Sequence, residues 1–446
     1  MPAPLPIHRI SNARLQSKGI LKIIEEGYQH YPSIFCLQFE DNSELVILGE
    51  AQHIEYWENN NDHFSKNINK LPLSSAIGRM ILGDTLTFAA EGDEWRNARK
   101  ITTSILNPKR PILAESMEQA AQWLVNRLRS QEPTPDLWPL CLEWALRCVL
   151  TPFLGKSVPS EAIYQLVDTH QQLFFHLLQQ SSEHEKVDML LDQELQSFRE
   201  SLFNIVESAL EHSHLEPDTA LSLLSTELNI DAEPGNTGSL VNIIMGNLLG
   251  SIDNPATSLM WTLVHLANNP QFIERIRCES YKIEGKTWSI QKCPETMALI
   301  KETLRLSPVQ PLIERTTTKA IELDGIPLVK HTDVLFCPWL IHRNVNYWAD
   351  PLTFDIDRFT QQGRIPPSKY FPFGIGKRHC AGLSLVFNQL AIVLLTLCRH
   401  CDFAFDGTLQ PIHIRPEFKL NLRPRGPVSL CVSLPSKTHN SMKETV

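Results

Sequence analysis

The segment Phe373-Gly374-Ile375-Gly376-Lys377-Arg378-His379-Cys380-Ala381-Gly382 sets one thiol in a glycine-rich loop, just ahead of the apolar run Leu383 to Cys398, which reads as a helix. Glycines at 374, 376 and 382 permit backbone conformations and close approaches that a Cβ blocks, so amide N–H groups can point at the sulfur. A cysteine just before a helix N-terminus, beside Lys377 and Arg378, sits where dipole and charge favour the thiolate, the metal-binding form. A large soft metal complex is the natural partner. The plainer reading is a redox-inert cysteine in a tight turn.

The elements that must hold this loop are mostly helical. Apolar residues between Ala114 and Leu266 recur at spacings of three and four, the pattern of packed helices. The longest periodic run spans Leu240 to Ala267 and predicts one helix, with Pro255 inside it removing an N–H from the carbonyl of Ser251 and forcing a kink. Strand signals come in three pieces: a hairpin over 34–48, a β-rich stretch near 315–336 with Asp324-Gly325 as a turn, and a third near 418–434 around Arg425-Gly426-Pro427. Thirty prolines punctuate the helices, and no internal repeat or low-complexity linker divides the chain. The expected fold is mainly α with small mixed β-sheets in a single large domain over residues 1–446.

Composition limits the partners. The chain has 446 residues, with 41 Lys and Arg against 50 Asp and Glu and a net charge of −9, which argues against a general nucleic-acid or anionic-membrane binder. Ten cysteines lack the density of a disulfide scaffold and fit a reducing compartment. Cys398-x-x-Cys401 has no second ligand pair nearby and reads as structural. Three prolines near the N-terminus and the shortness of Leu390 to Leu395 predict neither a signal peptide nor a membrane anchor, and hence a cytoplasmic protein.

Phe373, Gly376, Arg378, Cys380 and Gly382 resemble the haem-binding signature of the cytochrome P450 family at every fixed position. Five such positions coincide by chance at roughly 1 in 10^4. The resemblance implies that Cys380 is the proximal ligand of the iron of haem b, a thiolate that pushes electron density onto the metal. Glu302 and Arg305, one helical turn apart and about 75 residues before Cys380, look like the family's structural pair, and Arg358 in Asp357-Arg358-Phe359 looks like its third member. Trp95 and Arg99 match the family's Trp-x-x-x-Arg, and with Arg315 and Arg378 they supply the positions implied to meet the haem propionates.

One stretch departs from the pattern. Where the family usually has a small residue, a glycine, any residue, an acid and a threonine, this chain reads Gly250-Ser251-Ile252-Asp253-Asn254. The acid is kept and the alcohol is lost. Family members use the two to deliver protons during dioxygen activation, which makes Asp253 and Asn254 the implied catalytic residues, although an amide is no proton donor of alcohol strength. Thr257 lies about 300° around the helix from Asn254 and reads as packing.

The resemblance implies a haem-thiolate monooxygenase acting on a small, largely apolar organic substrate, with Val309 to Glu314 and Leu71 to Phe88 as substrate-contact regions. Electrons would come from a separate ferredoxin or flavodoxin, for which Arg96, Lys100, Lys377 and His379 offer a basic docking face. The alternatives are an atypical enzyme that uses peroxide or catalyses coupling or rearrangement, and a haem-binding protein without catalysis.

Overall fold

The computed structural model describes residues 4–66, 92–130, 136–155, 161, 196–197, 200–201, 203–208, 216–227, 237–283, 289–361, 363–405, 414–418 and 421–435. Its elements begin with β1 (Ile7–Arg9), α1 (Asn12–Lys18), α2 (Ile20–His30), β2 (Ile34–Gln38), β3 (Glu44–Leu48), α3 (Ala51–Asn59) and β4 (Phe64–Ser65). Helices then dominate: α4 (Gly92–Ile105), α5 (Pro111–Arg129), α6 (Leu137–Leu154), α7 (Ala220–Glu227), α8 (Thr237–Gly250), α9 (Asp253–Asn268), α10 (Pro270–Lys282) and α11 (Pro294–Leu306). Strands β5 (Ile313–Thr317), β6 (Ile321–Leu323), β7 (Ile326–Leu328) and β8 (Asp333–Phe336) follow, then the short α12 (Pro338–Ile341) and α13 (Asp357–Thr360). The chain closes with α14 (Leu383–His400), β9 (Asp402–Phe405), β10 (Pro416–Phe418), β11 (Leu422–Pro424) and β12 (Leu430–Ser433). The architecture is the mainly helical one expected, with small sheets at its edges.

The predicted hairpin is β2 paired antiparallel with β3, and it joins β8 in parallel and then β5 in one six-stranded mixed sheet. Alternation sorts its side chains into two clusters. Ile34, Val46, Leu48, Val334 and Phe336 pack with Trp57 on one face, while Phe35, Leu37, Ile47 and Leu335 pack with Ile23 and Ile24 of α2 on the other. The main core lies between α5, α6, α9, α10, α11 and α14. Four helices, α5, α10, α11 and α12, begin on proline, where a missing N–H costs no intrahelical bond.

One expectation needs correction. The helix expected over Leu240 to Ala267 is two helices, α8 and α9, separated at Ser251 and Ile252. Pro255 explains the interruption: a helix that restarts at Asp253 puts the proline in its first turn, among residues whose N–H groups have no intrahelical acceptor. The third β-rich stretch carries strands as expected, split between two small sheets. β10 pairs with β11, whereas β12 pairs with β9, a strand not foreseen, and Gly426 at a φ of +80° turns the chain between the two sheets.

Among the described residues two helices, Leu137–Leu154 and Leu383–His400, are long and apolar enough to cross a membrane. They are longer than the six-residue apolar run noted in the sequence. In the fold 78% and 61% of these windows are buried, as the walls of the main core.

Candidate active site

Cys380 lies two residues beyond a single 3-10 turn, Gly376–Arg378, and two before the Gly382 that caps α14. The loop is tied at several points. The Cys380 N–H donates to the Phe373 carbonyl at 2.9 Å, and the Gly374 N–H to the Phe371 carbonyl at 3.0 Å. Phe373 packs on Phe387 of α14 with ring centres 5.3 Å apart. Gly376 has a φ of +70°, and a Cβ there would stand 2.1 Å from Asn61 Oδ1, so the loop passes under Asn61 only as glycine. A Cβ at Gly382 would lie 3.8 Å from Cys380 Sγ, an ordinary van der Waals contact, so Gly382 borders the sulfur without space there demanding a glycine.

Cys380 is an exposed residue, yet enough protein surrounds its sulfur that burial pushes the thiol above the ordinary cysteine value. The Gly382 amide, the Arg99 charge and the Leu383 amide all act in the other direction, toward thiolate. Of the other cysteines only Cys431 is exposed, and Cys398 and Cys401 are buried, as expected for structural thiols.

Helix α4 brings Trp95 and Arg99 to this loop. Arg99 Nη1 donates to the His379 carbonyl at 2.7 Å, and its Nη2 reaches His379 Nε2 at 3.3 Å. His379 Nδ1 meets the Gly376 carbonyl at 2.8 Å, a geometry that fits a proton on Nδ1 and leaves Nε2 as acceptor for the guanidinium. Burial lowers Arg99 from the ordinary arginine value, opposed by the charge of Cys380. Arg378 stacks over Trp95 at 4.7 Å from the ring centre. Arg315 is buried on β5, over the Trp57 ring at 4.8 Å, and donates from Nη1 to the Glu314 carbonyl at 2.6 Å. Ile313, on the same strand face as Arg315, borders Gly374 of the loop. Trp95, Arg99, Arg315, Phe373, Gly376, Arg378, Cys380 and Gly382 thus belong to one connected region. Asn61, absent from the sequence reading, belongs there too; nothing near it in sequence marks it.

A rigid polar cluster stands behind the loop. Glu302 and Arg305 are fully buried and form a bidentate pair, with Nε to Oε2 at 2.7 Å and Nη2 to Oε1 at 2.8 Å. Arg358 Nε approaches Glu302 Oε1 at 3.4 Å and the Asp355 N–H donates to the same oxygen at 2.9 Å. Arg305 also donates to the carbonyls of His342, Pro351 and Thr353. The His342 ring in turn accepts from the Phe371 N–H at 3.1 Å, which connects the cluster to the cysteine loop.

Asp253 and Asn254 form a second constellation. Asp253 opens α9, where the helix dipole favours a carboxylate, and its oxygens accept from Asn421 Nδ2 and Arg423 Nη2 on the C-terminal hairpin. Asn254 folds back across the helix break, its Nδ2 donating to the Gly250 carbonyl at 3.3 Å. Ser251 Oγ is engaged by the Asn247 carbonyl at 2.7 Å, and Thr257 is fully buried, as expected for a packing residue. Asn421 and Arg423 were not legible in the sequence: they lie 168 and 170 residues from Asp253. The Leu71 to Phe88 region lies outside the described residues. Arg96, Lys100, Lys377 and His379 of the expected basic face are all exposed, and Arg96 is bonded to the exposed Asp93.

The family model for cytochrome P450 matches residues 1–432. The chain belongs to the cytochrome P450 family. With it comes the class of haem-iron monooxygenases, oxidoreductases that act on small molecules with redox partners. This P450 is 29% identical over 214 residues to cytochrome P450 76T24 of Catharanthus roseus, an alignment that spans 46% of this chain and less than half, 43%, of that protein. It is 24% identical over 431 residues to cytochrome P450 71D8 of Glycine max, covering 90% and 84% of the two chains. The cytochrome P450DA haem domain superposes with a TM-score of 0.81 at 18% identity, covering 98% of this P450 and 99% of that chain, a likeness of fold. The residues present suit the family's cofactor: a thiol with two backbone amides and a guanidinium beside it, each offsetting part of the burial that raises it, is a donor for a soft iron centre.

Proposed function

We propose that this P450 binds haem b through Cys380 in one haem domain over residues 1–446 and inserts one oxygen atom of dioxygen into a small, largely apolar organic substrate. Bound there, the haem iron supplies the oxygen activation and the electron transfer. Electrons come from a separate ferredoxin or flavodoxin. The observation that carries this reading is the placement of Cys380 in a tied loop ahead of α14, with Arg99 bonded to the His379 carbonyl and the Gly382 and Leu383 amides and the Arg99 charge offsetting part of the burial that pushes its thiol up.

The chain's own residues divide the work. Cys380 binds as thiolate, Gly376 lets its loop pass under Asn61, Phe373 ties the loop to Phe387 of α14, and Gly382 caps that helix beside Sγ. Trp95, Arg99, Arg315 and Arg378 neutralise and orient the propionates, guanidinium forks being suited to carboxylates. Glu302, Arg305 and Arg358 keep the loop in register through His342 and Phe371. Asp253 holds a proton-carrying position on the distal side, with Asn254 beside it, and Val309 to Glu314 contact the substrate. Arg96, Lys100 and Lys377, with His379 beside them, form a basic docking face for an acidic electron donor. Ten free cysteines support a reducing, cytoplasmic setting, and the commitment of both long apolar helices to the core supports a protein without a membrane anchor.

A second reading, turnover driven by peroxide, is favoured by one observation: Asn254 replaces the family's hydroxyl and its amide is bonded to the Gly250 carbonyl. The two separate in one comparison of product formation with reduced ferredoxin and dioxygen, with peroxide alone, and with neither. The first reading predicts product with ferredoxin and dioxygen; product with peroxide only would overturn it.

A further inference from the structure

Asp253 is 8% exposed, and its carboxylate is held by two donors from a hairpin remote in sequence, Asn421 Nδ2 and Arg423 Nη2. Arg423 is itself 8% exposed and lies over the Trp138 indole, 3.4 Å from the ring centre. Burial pushes Arg423 down to about 10, opposed by Asp253, so it remains a cation at neutral pH. Asn421, 4% exposed, also accepts from Gln310 Nε2 at 2.5 Å. The same hairpin is fastened to α9 by Trp261 Nε1 donating to the Leu422 carbonyl at 2.7 Å, and to Val309 by the Leu422 N–H at 2.9 Å.

A buried ion pair is a poor way to gain stability, because desolvation cancels most of the attraction and an apolar pair of similar volume does as well. What such a pair does well is fix geometry. Here it sits at the helix interruption, on the residue that keeps the family's acid after the alcohol has been lost. Two donors on two different oxygens restrict the Asp253 carboxylate to one orientation, while a carboxylate has further lone pairs with which to accept from water.

We propose that Arg423 and Asn421 are positioning residues for Asp253, so that the C-terminal hairpin aims the distal acid and joins it through Gln310 to the Val309 to Glu314 segment. The proposal rests on the reading of Asp253 as a proton-carrying residue. With the hydroxyl gone, the hairpin takes over the task of orienting that carboxylate. Asn421 is the branch point: its amide N–H donates to Asp253 and its carbonyl accepts from Gln310, so one side chain reports on both the acid and the substrate-contact segment.

The test uses the haem-loaded enzyme with an oxidisable ligand found by screening Soret shifts, and measures the fraction of electrons released as peroxide and the solvent isotope effect on turnover. Asp253→Asn and Arg423→Gln should each raise the peroxide fraction severalfold and change the isotope effect. Their combination should be no worse than the more severe single variant, since both remove one unit. Arg423→Lys should recover part of the coupling, and Asn421→Ala should give a milder form of the same defect. If Arg423→Gln fails to load haem, Arg423→Lys and Asn421→Ala carry the comparison. A urea-unfolding cycle on the same holoproteins should show non-additive midpoints for residues 253 and 423. Wild-type peroxide fraction and isotope effect in the variants at 421 and 423, with both altered in Asp253→Asn, would overturn the proposal and leave the reading of Asp253 intact. No change in Asp253→Asn itself would overturn that reading and the proposal with it.

Discussion

Arg99 Nη1 donates to the backbone carbonyl of His379 at 2.7 Å, so a helix 280 residues away in sequence grips the residue that precedes Cys380. The bond is charge-assisted, and the guanidinium that makes it also favours the Cys380 thiolate. Arg99→Ala should therefore release haem faster than wild type by about tenfold, the equivalent of a charge-assisted hydrogen bond of ~1.5 kcal/mol. Haem transfer to an excess of acceptor protein measures the rate. An unchanged rate would remove Arg99 from the cofactor site.

Gly376 should tolerate no side chain. Its φ of +70° is unfavourable for any L-residue, and a Cβ would meet the Asn61 side chain at 2.1 Å. Gly376→Ala should lower haem content and the urea midpoint. Shortening Asn61 to alanine in the same chain should restore part of the loss, because it relieves the contact and leaves the backbone strain. Full recovery, or none, would show that only one of the two causes operates.

Breaking the Glu302 cluster should cost folding rather than chemistry. Glu302→Gln leaves the Arg305 and Arg358 guanidiniums buried without their carboxylate, a loss of about 3–5 kcal/mol. The expected result is little soluble holoprotein and a sharply lowered urea midpoint. A variant with normal stability and impaired turnover would instead assign Glu302 to the reaction.

Acid should destabilise the protein through His265, which is partly buried, and His342, which is fully so. Burial, then Arg343 and Arg305, push His265 down from 6.5 to about 3, and burial pushes the fully buried His342 well below its ordinary value. Between pH 6.5 and about 3 the unfolded chain binds a proton at residue 265 that the folded chain refuses. Stability is thus fully present above pH 6.5 and falls as the pH drops, with a slope of about 1.4 kcal/mol per pH unit for each such histidine. His265→Gln should flatten the dependence of the unfolding midpoint on pH; an identical slope would contradict the assignment.

The sequence was most informative where local pattern and chemistry coincide. The alternating residues of 34–48 declare a hairpin, and glycines around a cysteine before an apolar helix declare the metal-binding loop. It was least informative where partners meet across long separations. Nothing near Arg423 points to Asp253, nor near Asn61 to Gly376, because such contacts follow from how the sheets close on the helices. Pro255 was read as a kink in one helix, when the lower-cost arrangement is to end α8 and start α9, setting the proline in a first turn. The same restart puts Asp253 at a helix N-terminus within reach of the hairpin.

The central claim, thiolate ligation by Cys380, is tested most directly by the absorption spectrum of the reduced, carbon monoxide-treated holoprotein. Wild type should show the red-shifted Soret band of a thiolate-ligated haem, and Cys380→Ala should lack it while the Cys398→Ala and Cys431→Ala variants keep it. An unshifted band in intact wild type, or a red-shifted band that survives Cys380→Ala, would contradict the account.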